Sequence, residues 1–341
     1  MRIENVAELE ELLSRPREAD VAAMAELKGD LLILGVGGKM GPSLAALARR
    51  ASDKAGVKRR IVAVARFSNA DLLKELSAQG IETIASDLLE SGALDRLPDM
   101  PNVIFMAARK FGSSGAEHLT WAMNTFLPGL VAERYRNSRI VAFSTGNVYP
   151  LRSAAEGGAT ESTPVSPIGE YAQSALGRER MFEYGSSRYG TKAAILRLNY
   201  AVELRYGVLV DIGRAVYERR PVLLTMPQVN VIWQGDANSW CLRSFARCSS
   251  PPFVLNITGP ETLSVREVAA EFGKHFGTEP IFGLEATEPT SLLNNASKAN
   301  ALFGKPAVSP TEMIAWIADW IRQGGAMLNK PTHFQTRDGK F

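Results

Sequence analysis

Residues Asp30 to Ala46 read DLLILGVGGKMGPSLAA, a short apolar run that breaks into glycines and then resumes at helical spacing. Leu31, Leu32, Ile33 and Leu34 are continuous rather than alternating, the pattern of a strand covered on both faces in a parallel sheet. Gly35, Gly38 and Gly41 follow at G-x-x-G-x-x-G spacing, and Pro42 stands where the first helical turn needs no amide donor. Such a turn admits positive φ angles and lets a pyrophosphate approach the backbone, while the helix behind it offers unpaired N–H groups and its positive dipole end. The stretch predicts strand, phosphate-binding turn and helix, with Gly35, Gly38, Lys39, Met40 and Gly41 as cofactor contacts. A plain strand–turn–helix corner has the same outline, so the reading depends on the chain that follows.

That chain repeats the pattern. IVAVAR (61–66) reads as a second strand, residues 69–79 as a helix, and Ile81 to Ala85 as a third strand with Asp87-Leu88 just past its end. NVIFMAARKFG (102–112) gives a fourth strand ending in Ala107-Ala108, and residues 117–135 a helix carrying Trp121 and Asn124. In RIVAFSTGNVYP (139–150) a fifth strand ends at Ser144 and Thr145, and a helix begins near Glu170. Alternation at this rhythm predicts an α/β fold, a doubly wound parallel (Rossmann) sheet with ligands at the carboxyl ends of its strands. The second strand end bears on the cofactor. A carboxylate there accepts from the ribose of NAD, whereas a basic residue accommodates the 2′-phosphate of NADP. Residues 61–69 contain Arg66 and no Asp or Glu, so Arg66, helped by Lys39, favours NADP over NAD.

Composition excludes several classes. The 341 residues are 45% hydrophobic and 22% charged, enough for one large or two closely joined domains with a sizeable core. The 39 basic residues are dispersed among 36 acidic ones, and no basic tail or stripe argues for nucleic acid. No apolar run of about 18 residues and no signal-like N-terminus is present, so no membrane partner is expected and the cytoplasm is the expected location. Cys241 and Cys248 lie seven apart in a predicted helix, and His118, His275 and His333 are the only histidines, so neither a disulfide nor a metal site is expected. Residues 1–29 form a helical extension expected to cover a face or edge of the sheet, and the polar tail, 331–341, is expected to be loosely held or packed on a neighbour.

Taken together these pieces resemble the extended branch of the short-chain dehydrogenase/reductase superfamily, the NAD-dependent epimerase/dehydratase group that includes nucleotide-sugar epimerases and related reductases. The likeness runs from about residue 30 to residue 322. Besides the glycine turn it rests on Asp87-Leu88, Ala107-Ala108, Asn124, Ser144-Thr145-x-x-Val148-Tyr149, Thr163-Pro164, Tyr171 with its helix, AILRLN (194–199), Asp236 after VNVIWQG, VLNITGPETLSVREVA (254–269) and SKANALFGKP (297–306). The resemblance implies a dinucleotide-binding domain over 30–200 and a smaller substrate lobe over 201–330, with 229–258 returning to the first domain. It also implies Tyr171 as general acid/base and cofactor contact, Thr145 and Ser144 at the reacting oxygen, Asn124 beside them, and a homodimer formed through residues 117–136 and 170–187.

The same resemblance exposes two departures. The family's Y-x-x-x-K lysine, which lowers the tyrosine pKa and holds the nicotinamide ribose, is Ala175 here. An unassisted tyrosine with a pKa of about 10 is phenolate in only about one molecule in a thousand at pH 7. Arg178, Arg109 and Lys110 are alternative sources of positive charge. The family's R-x-x-N-x-Y-G run is Arg197-Leu198-Asn199-Tyr200-Ala201-Val202, with the asparagine displaced by one, which puts nucleotide-sugar binding in question. Two functions are therefore weighed: hydride-transfer chemistry on a carbinol or keto group of a sugar-like or sugar-nucleotide substrate, or a dinucleotide-binding sensor or scaffold with impaired catalysis.

Overall fold

The computed structural model describes residues 2–110, 115–330 and 332–340. Helices α1 (Val6–Leu13) and α2 (Glu18–Glu26) come first, α1 opened by Asn5, whose side chain accepts from the Glu8 amide. Seven strands then form one parallel sheet: β1 (Leu31–Leu34), β2 (Ile61–Ala65), β3 (Glu82–Ala85), β4 (Asn102–Phe105), β5 (Arg139–Thr145), β6 (Ala193–Leu198) and β7 (Phe253–Ile257), in spatial order β7-β6-β5-β4-β1-β2-β3. The order reverses between β1 and β4, the switch point at which open α/β sheets take ligands. All four residues of β1 are buried, Leu31 and Ile33 in one core cluster and Leu32 and Leu34 in another, so the unbroken apolar run reflects cover on both faces.

On the first face lie α3 (Gly41–Lys54) and α4 (Ala70–Ala78), and on the second α5 (Glu117–Trp121), α6 (Leu127–Arg134) and α7 (Gly169–Tyr189). The single helix expected over 117–135 is interrupted by a π-helical turn, Ala122–Phe126. Pro128 explains it: proline has no N–H, and in a regular helix its ring would strike the carbonyl of Asn124, four residues back. A wider turn relieves that clash and carries Asn124 inward, where it is fully buried.

A second core forms around α8 (Val208–Tyr217), α10 (Val265–Phe276) and α12 (Pro310–Arg322), with Phe272, Ile317 and Trp320 at its centre. Between them, α9 (Gln234–Arg243) packs on α2 and α3, and α11 (Ser297–Phe303) adds Ala299 to the same sheet-side cluster. Trp233 and Trp240 are buried, one in each core. Cys241 and Cys248 are free, the latter beyond the helix at the end of a 3₁₀ turn. Among the described residues no helix is long and apolar enough to cross a membrane.

Two terminal segments depart from expectation. Only α2 covers the sheet, through Met24, while Leu9 and Leu13 of α1 join the second core. The link is polar as well as apolar: Arg17 pairs with the buried carboxylate of Asp236, and Ser239 donates to Asp20. The tail is not loose. Thr332 donates from its amide and hydroxyl to Asp211 at 2.9 and 2.6 Å, Thr225 donates to the Gln335 carbonyl at 2.8 Å, and Arg337 donates to the carbonyls of Thr225 and Thr290. Phe334, an apolar residue in a polar run, is buried in the second core and supplies the reason the segment folds back on its own chain.

Candidate active site

The glycine turn divides its residues into two kinds. A Cβ at Gly35, where φ is +94°, would lie 2.5 Å from the Ala107 nitrogen, and one at Gly41 would lie 2.1 Å from the Val36 oxygen. These two are required by how the ends of β1 and β4 and the start of α3 meet. Gly38 is exposed, and a Cβ there would meet only the Gly35 oxygen, at 3.6 Å. The fold itself makes no demand for glycine at that point, whereas a pyrophosphate seated over the α3 N-terminus does. The residues present thus fit a dinucleotide.

The remaining predicted cofactor residues stand at neighbouring strand ends. Arg66 is exposed at the end of β2, Asp87 accepts from the Leu89 amide just past β3, Leu88 is buried, and Ala107 and Ala108 follow β4. Met40 is buried in the turn. Lys39 departs from its expected role beside Arg66. Its ammonium donates to the Ala201 carbonyl at 2.7 Å and sits 4.3 Å over the Tyr206 ring, on the segment that follows β6. Burial there pushes its pKa down to about 8, against the opposing charge of Glu203.

Tyr171 lies in the first turn of α7 and is 9% exposed. α7 can approach α6 and the π turn closely because Gly177 faces Thr125 and Gly185 faces Ala132, positions where a Cβ would fall 2.5 and 2.8 Å from those residues. At the end of β5 the two hydroxyl residues separate. Thr145 donates to the Asn147 side chain at 3.0 Å and accepts from its amide at 3.2 Å. Ser144, pointing to the opposite face as alternate strand residues must, donates to Glu179. Glu179 is paired with Arg197, which donates in turn to Tyr149 at 2.7 Å, and Tyr149 donates to Asn256 at 2.9 Å. Ser144 thus belongs to a buried polar chain rather than to the cleft, contrary to its expected place at the reacting oxygen.

Asn124 also differs from its expected role. Its amide brackets the Arg109 peptide, accepting from the nitrogen and donating to the oxygen, both at 2.9 Å. The same side chain donates to Ser174 at 3.0 Å and accepts from Arg178 at 2.9 Å. It ties the loop after β4 to α7.

Ala175, the position of the family lysine, is fully buried beside Val148, Tyr149 and Ala159. Two cations approach Tyr171 from elsewhere. Arg178 is committed to the Phe143 carbonyl at 2.8 Å and to Asn124, and burial lowers its pKa while the charges of Tyr171 and Glu179 oppose that effect. Lys110 holds its ammonium 5.7 Å from the centre of the Tyr171 ring and donates to the Thr332 carbonyl at 3.3 Å. Burial brings its pKa down to about 8, with Asp211 opposing. Phe111 and Gly112, the end of the same predicted loop, lie outside the described residues.

Beside Lys110 is a narrow pocket of about 30 Å³ lined by Asn147, Tyr149, Tyr200, His333 and Arg337 among others. That is room for about two waters. Tyr200, Tyr206, Asp211 and the tail residues are the parts of the site that sequence reading did not find. No local pattern marks them, because the tail is brought to the cleft only by the burial of Phe334.

The strand order, switch point and glycine turn define a dinucleotide-binding α/β protein. Residues 31–202 match the model of the NAD dependent epimerase/dehydratase family, and the chain belongs to that family. Solved structures agree in fold. The UDP-glucuronic acid 4-epimerase of Bacillus cereus in complex with NAD superposes with a TM-score of 0.70 at 18% identity, over 86% of this chain and 97% of that one. The UDP-glucose 4-epimerase of Thermotoga maritima with UDP-glucose gives 0.69 at 16%, over 86% and 99%. The UDP-glucose 4-epimerase of Thermus thermophilus with NAD gives 0.68 at 19%, over the same shares. No curated protein matches the chain closely enough to count as a relative.

Proposed function

We propose that the protein is an enzyme that uses a nicotinamide dinucleotide to oxidise and reduce a carbinol or keto carbon of a sugar-like substrate, with Tyr171 as acid/base and Thr145 at the reacting oxygen. The observation that carries this reading is Tyr171, buried in the first turn of α7 with a lysine ammonium facing its ring. A buried phenol with a cation in its field is the arrangement that tunes a tyrosine toward proton transfer. When bound, the dinucleotide supplies the hydride acceptor and donor. Tyr171 would take the hydroxyl proton as the carbinol carbon is oxidised and return it on reduction, and Thr145 would orient that oxygen. The compared epimerases, solved with NAD or UDP-glucose, support a nucleotide-sugar or related sugar as the substrate class.

Arg66 favours NADP, since it is exposed at the end of β2 with no carboxylate between residues 61 and 69, while the compared complexes hold NAD. The sensor or scaffold reading is favoured by Ala175, buried where a lysine would have served. One experiment separates these readings: single-turnover oxidation of bound NADPH and NADH with a panel of nucleotide sugars and simple ketones, in wild type, Tyr171→Phe and Arg66→Ala. Expected are turnover that falls about 100-fold or more in Tyr171→Phe and an NADPH preference that disappears in Arg66→Ala. Turnover undiminished in Tyr171→Phe would remove the tyrosine from the chemistry. No turnover in wild type with tight dinucleotide binding would leave the sensor. Stronger binding of NADH by wild type would assign NAD.

A further inference from the structure

We propose that Lys110 is the positioning residue that supplies Tyr171 with the positive charge that Ala175, one turn along its helix, cannot. The inference rests on the acid/base role argued above. A phenol that accepts a proton near neutral pH needs a cation close to its oxygen, because otherwise the phenolate is too scarce to act. On α7 the side chain one turn after Tyr171 is the methyl group of Ala175, packed against Val148 and Tyr149. The next turn carries Arg178, whose guanidinium is held by the Phe143 carbonyl and by Asn124. Lys110 comes from a different element, the loop after β4, and places its ammonium over the Tyr171 ring.

The loop is built to hold it there. Asn124, carried inward by the π turn, brackets the peptide of Arg109, the residue immediately before Lys110, with two hydrogen bonds. The tail supplies the Thr332 carbonyl as acceptor on the far side of the ammonium. The groups facing Lys110 are Tyr171 from α7, Asp211 from α8, Thr332 and His333 from the tail, Lys39 from the glycine turn and Tyr200 after β6. Asp211 also accepts from Thr332, so the one carboxylate in this set is shared between the tail and the lysine's field.

The test reads the phenol itself. Tyrosinate absorbance is followed from about pH 6 to about pH 11, without substrate or dinucleotide, in wild type, Lys110→Met, Lys110→Gln and Lys110→Arg. Each protein is subtracted from its own Tyr171→Phe counterpart, so that the other tyrosines cancel. The expected result is at least about threefold less Tyr171 tyrosinate at a fixed pH of about 7.5, where Lys110 is still mostly an ammonium, in Lys110→Met and Lys110→Gln, with at least the wild-type amount in Lys110→Arg. A Tyr171 signal in Lys110→Met and Lys110→Gln that overlays the wild-type curve overturns the proposal. Two neutral variants guard against one that fails to fold. Because no substrate is present, absence of turnover in the earlier experiment would count against the enzyme reading and leave this result standing. Normal turnover with superimposable titrations would count against Lys110 alone.

Discussion

Ser144 and Thr145 are adjacent hydroxyl residues at one strand end, and the strand's alternation gives them different duties. Ser144 extends the buried pair of Glu179 and Arg197, both almost completely shielded from solvent. An ion pair of this kind is costly to break from one side, because the surviving charge stays buried. Glu179→Ala should therefore destabilise the protein by about 3 to 5 kcal/mol, and Ser144→Ala by about 1 kcal/mol, both read from urea unfolding midpoints. Ser144→Ala should leave turnover near the wild-type rate, while Thr145→Ala should lower turnover and also cost about 1 kcal/mol through its lost hydrogen bonds to Asn147. If Ser144→Ala lost turnover with Thr145→Ala unaffected, the roles assigned to the two would be reversed. The hydroxyl pair itself was legible from FSTGNVY at the end of an apolar run. Which of the two faces the cleft was not, because that depends on where α7 puts Glu179. Lys39 shows the same limit: its place in the glycine turn was readable, but its reach to Ala201 depends on residues more than a hundred positions away.

At the scale of elements, the strands and helices that repeat a local rhythm were readable, and those imposed by distant contacts were not. β1 to β6, α3 and α7 follow from apolar runs, glycines and helical spacing. Helical spacing alone predicts one helix over 117–135, and the π turn follows only from the missing N–H and the ring of Pro128. The tail is the clearest failure of local reading, since eight of the ten residues from Asn329 to Asp338 are polar or charged and only Phe334 supplies a strong apolar anchor. Its position has a measurable consequence. Removal of residues 331–341 takes away Phe334, worth about 1.5 to 3 kcal/mol of burial, together with the acceptor for Lys110 and one wall of the narrow pocket. The truncated protein should unfold at lower urea concentration than the full chain, as read from the unfolding midpoint. An unchanged midpoint after truncation would mean that Phe334 and its neighbours add nothing to stability.

For the whole molecule, the two cores are joined by segments that cross between them: α1 enters the second core, α2 and α9 lie on the sheet, and β7 closes the sheet edge beside β6. Such a body still leaves one apolar surface uncovered. His118, Trp121, Ala122, Phe126, Gly129, Leu130 and Met181 line a groove between the α5–α6 segment and α7, and Phe126 is 60% exposed. Phe182, within the 170–187 segment expected to pair, is instead buried edge-on against Phe105 and cannot serve a partner. A two-fold pairing of the groove would place Phe126 of each copy at the centre of a self-complementary contact, which is how a cyclic dimer hides such a patch. Light scattering at micromolar concentration should give a dimer for wild type. Phe126→Asp would bury an unpaired carboxylate in that contact, a cost of about 2 kcal/mol or more, so the dimer dissociation constant should rise at least about 30-fold. The variant should keep its secondary structure, because Phe126 contributes to neither core in the monomer. A wild-type chain that remains monomeric in that range, or a Phe126→Asp chain that dimerises equally well, would show that the groove is not the site of self-association.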